Sequence, residues 1–190
     1  MKSLVDHLSQ YAAYHRDPRN IASHFIGIPL IVVAVAVLLS RPQWSLGGVW
    51  LSPAVLVSLA SAWFYLRLEL RLGVLMTVLL GLSVWAGHAL AQQSTLVWLG
   101  SGVAMFVIGW AIQFVGHHYE GRKPAFVDDV TGLIVGPLFV VAELAFMLGM
   151  RHDLKVLLSR SQSRASSLPQ RIYGAHRPPV GAGLLAKLLL

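Results

Sequence analysis

Eight histidines stand in this 190-residue chain, and their positions matter more than their number. His15 and His24 flank the segment YHRDPRNIASHFIGIP. His117 and His118 lie in QFVGHHYEGRKPAFVDD, which also carries Glu120, Asp128 and Asp129. Imidazole binds Fe, Zn, Cu and Ni, and histidine combined with carboxylate around open positions suits Fe(II) oxygenases. None of these pairs has an HExxH or H-x3–5-H spacing, so a metal site needs two distant segments to converge. The alternative is a set of interfacial histidines that hydrogen-bond loops and lipid head groups. Cysteine is absent, which excludes a thiol nucleophile, an iron–sulfur cluster and a Cys-based zinc site.

The elements that must bring these segments together are membrane helices. Apolar residues make up 56% of the chain and charged ones 12%, about half the usual share of about 25% in soluble domains. A spanning helix needs about 20 mainly apolar residues. Such runs occur at His24–Ser40, about Gly48–Leu66, Leu72–Ala91 and Thr95–Val115, with a fifth apolar stretch at Val130–Met150. The expected class is all-α: a polytopic membrane helix bundle of four spans plus a fifth broken, re-entrant or spanning helical segment. Gly136-Pro137 is the expected break, because proline removes a backbone donor. Glu143 lies within that stretch, where an ionisable residue is expected to face protein or water.

Four crossings return the chain to its starting side. His24, at the mouth of the first span, and His117, at the exit of the fourth, therefore share one membrane face. His88 lies 16 residues beyond Leu72, about 24 Å up the third helix, and belongs to the opposite face. Residues 1–20 read as an amphipathic helix on the membrane surface, with Leu4, Val5, Leu8, Tyr11 and Ala12 at helical spacing and Asp17-Pro18 as its end. Asn20 is the expected N-cap of the helix entering the membrane.

The net charge is +7. Residues 24–150 hold five basic and five acidic residues, whereas residues 151–190 hold seven basic residues against Asp153. The excess is therefore a tail, and no nucleic-acid motif accompanies it. The domain reading is a membrane domain over 1–155 and a basic, flexible tail over 156–190. Basic residues in the N-terminus and in the 67–71 loop put these on the cytoplasmic side. The default location is a bacterial inner membrane, or the endoplasmic reticulum in a eukaryote.

Three blocks resemble a known family. The pattern H-x-x-P-x-N-x-x-x-H-x-x-G-x-P is met by His15, Pro18, Asn20, His24, Gly27 and Pro29. The pattern Q-F-x-G-H-x-x-E-x-R-x-P-A is met by Gln113, Phe114, Gly116, His117, Glu120, Arg122, Pro124 and Ala125. A third, G-P-x-F-V-x-x-E, is met by Gly136, Pro137, Phe139, Val140 and Glu143. Together, over about residues 1–155, they resemble the membrane 2-hydroxy fatty acid dioxygenases of phytosphingosine degradation. The resemblance implies Fe(II) as cofactor and O2 as co-substrate. The implied reaction is α-oxidation of a 2-hydroxy fatty acid to a fatty acid one carbon shorter, with membrane lipids and that lipid substrate as partners. It implies that His15, His24 and His117 serve the iron. His118 is a weaker ligand candidate. Glu120, Glu143 and Asn20 are the catalytic candidates, the two carboxylates as groups that could orient the imidazoles. Arg122 or Arg19 is the candidate partner of the substrate carboxylate.

Other classes remain open at this level: another metal-dependent lipid hydroxylase or hydrolase, or a small transporter or structural membrane protein. A transporter would use Glu143 and the broken fifth stretch as its path, but the sequence has no internal repeat.

Overall fold

A computed structural model describes residues 2–121 and 131–167. Seven helices and one two-stranded hairpin occur among them. They are α1 (Leu4–Ala12), α2 (Pro18–Leu38), β1 (Trp44–Leu46), β2 (Val49–Leu51), α3 (Pro53–Leu68), α4 (Leu70–Ala91), α5 (Thr95–Glu120), α6 (Thr131–Met147) and α7 (His152–Ser167). The strands pair antiparallel, with Trp44 opposite Leu51. The expected all-α class holds, with this hairpin as its small exception.

Three helices, α2, α4 and α5, are long and apolar enough to cross a membrane. Their outward faces carry exposed large hydrophobics such as Leu79, Trp85, Val103, Val107 and Phe114. An apolar surface of that extent is matched by lipid rather than water. The expected second span is shorter than its sequence suggested. Val49–Leu51 is strand, and α3 starts only at Pro53. Its 16 residues reach about 24 Å, less than the about 30 Å of hydrocarbon core.

The fifth stretch departs from expectation in the place of its break. Gly136 and Pro137 lie inside a continuous α6, where the missing proline donor costs one bond of the ladder but does not stop the helix. The chain turns instead after Met147. The Gly149 amide bonds the Phe146 carbonyl and the Met150 amide bonds the Ala145 carbonyl, with Gly149 at φ +71°. This is a glycine-capped helix end, in which the left-handed residue satisfies the last carbonyls. α6 and the start of α7 then meet at a 116° bend.

α2 is the hub, packed against α5, α4, α6 and α3. Its tightest partner is α5. A Cβ placed on Gly109 would lie 2.7 Å from Ile31 Cγ1 and 3.0 Å from the Gly27 carbonyl oxygen. Two opposed stripes run along this seam at helical spacing: Asn20, Ser23, His24 and Gly27 on α2, and Gln113, Gly116, His117 and Glu120 on α5. A Cβ on Gly116 would run into Ser23 Oγ and Asn20 Oδ1, and one on Gly27 would meet Gln113. Glycine at these places lets polar side chains of the facing helix fit between two backbones.

The amphipathic N-terminal helix forms with a Ser3/Asp6 capping box, but it is covered by protein instead of lying on lipid. Leu4, Leu8 and Tyr11 are buried in one cluster with Val135, Leu138 and Phe139 of α6 and Leu154 and Leu158 of α7. The helix α7 continues past residue 155, with Leu158 buried. Residues 168–190 lie outside the described residues.

Candidate metal centre

The α2 helix begins at Pro18 with Asp17, not Asn20, as N-cap; the Asp17 side chain accepts from the Arg19 amide. The fixed φ of proline and its missing N–H both suit the first helical position. This leaves Asn20 free to turn inward, where it is completely buried. The α5 helix runs five residues beyond the expected span end, to Glu120, and stops at Gly121 with φ +65°. His117 and His118 are thus helical, and only His117 faces α2. His118, the next residue along, points about 100° away and is exposed.

His15, His24 and His117 come together. They are 3%, 1% and 6% exposed. One ring nitrogen from each lies within 4.8 Å of the others. Ring centroids are 4.4 Å apart for His15–His24, 5.1 Å for His15–His117 and 5.2 Å for His24–His117. His15 Nδ1 lies 2.8 Å from the Tyr11 carbonyl oxygen, and His24 Nδ1 lies 2.8 Å from that of Asn20. A carbonyl can only accept, so each of these Nδ1 atoms carries the proton and each Nε2 presents a lone pair. His15 Nε2 and His117 Nδ1 are buried with no hydrogen-bond partner. Buried ring nitrogens left unpaired cost free energy. One nitrogen from each of the three rings, all within 4.8 Å of one another, makes a donor set that Fe, Zn, Cu or Ni would satisfy. A carbonyl behind a ligand imidazole is the usual device that fixes tautomer and ring orientation.

Tyr11 closes the wall behind His15. Its ring stacks on His15 at 4.2 Å and 9°, meets His24 edge-on at 6.3 Å and leans on Phe139 at 4.9 Å. From the sequence, Tyr11 reads only as part of an apolar helix face. Its position four residues before His15 was the available signal. Gln113 matched a block without a role; it is buried, and its Nε2 has no partner.

The other candidates fall elsewhere. The Glu120 carboxylate is not hydrogen-bonded to an imidazole; it accepts from the Arg16 and Asp17 amides and from Asn20 Nδ2. Glu143 sits one turn beyond Phe139, half-buried, with Lys155 as its electrostatic neighbour. Arg19 is already engaged: its guanidinium pairs with Asp17 at 2.9 Å and lies over the Tyr119 ring at 4.3 Å. Arg122, Asp128 and Asp129 lie outside the described residues. His88 is at the far end, as expected, stacked on Trp50 at 4.1 Å and beside Gln43.

Burial pushes the His15 pKa down to about 4; the Tyr11 carbonyl opposes this and the neighbouring His117 adds to it. The imidazole is therefore neutral and ready to ligate at neutral pH. The unfolded chain takes up this proton near 6.5. Without metal, the fold therefore has its full stability above about pH 6.5 and loses on the order of 3 kcal/mol as the pH falls to about 4. Thermal melts of chelator-treated protein should show this loss, and His15→Gln should flatten it. An unchanged profile in that variant would assign the acid sensitivity to other groups.

The fold and this centre together define a class: an all-α bundle with three helices long and apolar enough to cross a membrane and a buried cluster of three histidines whose nitrogens could hold a metal ion. Within that class, the chain belongs to the 2-hydroxy-palmitic acid dioxygenase Mpo1-like family, whose profile matches residues 1–148. One relative is the 2-hydroxy-palmitic acid dioxygenase MPO1 of Saccharomyces cerevisiae. It is 33% identical over 162 residues, covering 83% of this chain and 90% of that protein. No solved structure matches the chain.

Proposed function

We propose that the protein is an Fe(II)-dependent dioxygenase that converts 2-hydroxy fatty acids to fatty acids one carbon shorter. The observation that carries this reading is the convergence of three buried imidazoles, two of them held by backbone carbonyls, in a chain of this family. His15, His24 and His117 would hold the iron. Bound there, ferrous iron supplies one-electron chemistry toward O2 and a Lewis acid for the head group of the substrate. One O2 per 2-hydroxy acid balances as the shortened acid, CO2 and water.

The chain's own residues do the rest. Tyr11 and Asn20 carbonyls hold two imidazoles in the ligating tautomer. Tyr11 and Phe139 shield the centre from water, which keeps competing oxidation away from it. The centre lies at one end of the spanning helices α2 and α5, so an acid head group can reach it while the acyl chain stays along the lipid-facing helices. Lys2, Arg16, Arg19, Arg67 and Arg71 belong to this same end, which supports a cytoplasmic orientation.

Purified protein supplied with Fe(II), O2 and 2-hydroxypalmitate should release pentadecanoate and one CO2 per turnover. Bound iron without any odd-chain product would reject the substrate assignment.

A further inference from the structure

We propose that Glu120 is a positioning residue: its carboxylate locks the three histidine-bearing segments in the register that lets their imidazoles meet. This rests on the reading of the histidines as a metal centre and deepens it. Oε1 accepts from the Arg16 amide at 3.0 Å, and Oε2 accepts from the amides of Arg16 at 2.9 Å and Asp17 at 2.8 Å and from Asn20 Nδ2 at 3.1 Å. Each donor leads to a ligand. Arg16 directly follows His15. Asn20 stands one turn before His24, and its carbonyl holds the His24 ring. Glu120 itself follows His117 by three residues on the same face of α5. One side chain thus joins all three ligand segments across about a hundred residues of sequence, yet touches no imidazole.

The chemistry requires a carboxylate. Three donors converge on it, and bonds from N–H to an ionised oxygen are roughly twice as strong as neutral ones. The two backbone amides precede α2, where no helical carbonyl serves them, and the Asp17 side chain is taken by Arg19. Glutamine would keep the shape but turn an NH2 toward one or more of these donors. The α5 end would then drift from the α2 entry, and His117 would drift with it.

The test is a Co(II) titration of the purified full-length protein, followed by the visible d–d bands. It uses the wild type, Glu120→Gln, His117→Ala and the double variant. Glu120→Gln should stay folded by circular dichroism and bind Co(II) about 10–100-fold more weakly, as loss of a partner behind a ligand typically does. In the His117→Ala background the Glu120→Gln change should cost clearly less than in the wild type, because the α5 imidazole it aligns with the other two is already gone. Plain destabilisation would instead weaken binding equally in both backgrounds. If Glu120→Gln does not fold, Asn20→Ala cuts only the Asn20 link, and the same non-additivity with His117→Ala is expected. Unchanged Co(II) affinity, or additive losses, would overturn the inference while leaving the metal centre intact. A wild type that takes up no Co(II), Fe(II) or Zn(II) would overturn the metal reading and this inference with it.

Discussion

His24→Ala is expected to strip the protein of metal and of turnover together. His24 is the most enclosed of the three imidazoles, 1% exposed, and it meets both of the others edge-on. Structural sites with four ligands gather about 10–16 kcal/mol of apparent binding free energy, or about 2.5–4 kcal/mol per ligand. Loss of one ligand from a set of three therefore weakens binding by on the order of a hundred to a thousandfold. The Asn20 carbonyl that loses the His24 Nδ1 partner keeps the Ser23 hydroxyl as a donor, and the Asn20 side chain keeps Glu120. The variant should therefore keep its helical content. His118→Ala serves as the control: it removes an exposed imidazole one residue from His117 and should leave the metal content unchanged. Elemental analysis of the two purified variants decides. Stoichiometric metal in His24→Ala would remove His24 from the ligand set.

Gly109→Leu should unfold the seam on which the centre depends. A single added carbon at Gly109 already lies 2.7 Å from Ile31 Cγ1 and 3.0 Å from the Gly27 backbone oxygen. The backbone of α2 cannot rotate away as a side chain can. Leucine places three more carbons in that space. Overpacking of a close-packed interior costs typically about 1–3 kcal/mol, and two helices pressed backbone to backbone place this case at the upper end. At about 2–4 °C per kcal/mol for a chain of this size, the melting temperature should fall by several degrees, with weaker metal binding because His24 and His117 sit on the separated helices. Gly100→Leu tests the reasoning on the same helix. Nothing lies within 4 Å of a Cβ there, so that variant should melt at or above the wild-type temperature. Equal melting of both variants would mean that the α2–α5 approach is looser than its geometry implies.

The meeting of His24 and His117 was expected from the parity of four crossings. Three helices are long and apolar enough to cross a membrane, and α3, though shorter than a full span, still carries the chain back far enough for the two imidazoles to meet. Partnerships made by single hydrogen bonds were not legible. Glu120 could equally have faced an imidazole, and only the extra five residues of α5 carry it to the amides of Arg16 and Asp17. Proline was a poor guide in this apolar chain. Pro29 and Pro137 both lie within helices, since flanking helices compensate for the missing donor. Gly149 marked the turn instead. The amphipathic pattern of residues 4–12 was legible as a pattern, but not what would cover it. An apolar stripe meets lipid and a protein surface with the same residues, and here α6 and α7 supply the surface.

The seam between α2 and α5 also fixes an order of events during synthesis. His15 and His24 leave the ribosome early, but their partner His117 follows 93 residues after His24. At about 5–20 residues per second this interval is roughly 5–20 s. During it, α3 and α4 are made while two imidazoles wait on a half-built bundle. The three imidazoles meet only when the last turn of α5 arrives, so under the proposed function metal capture would be a late step of assembly, and a chain interrupted before residue 117 would carry His15 and His24 without the third imidazole.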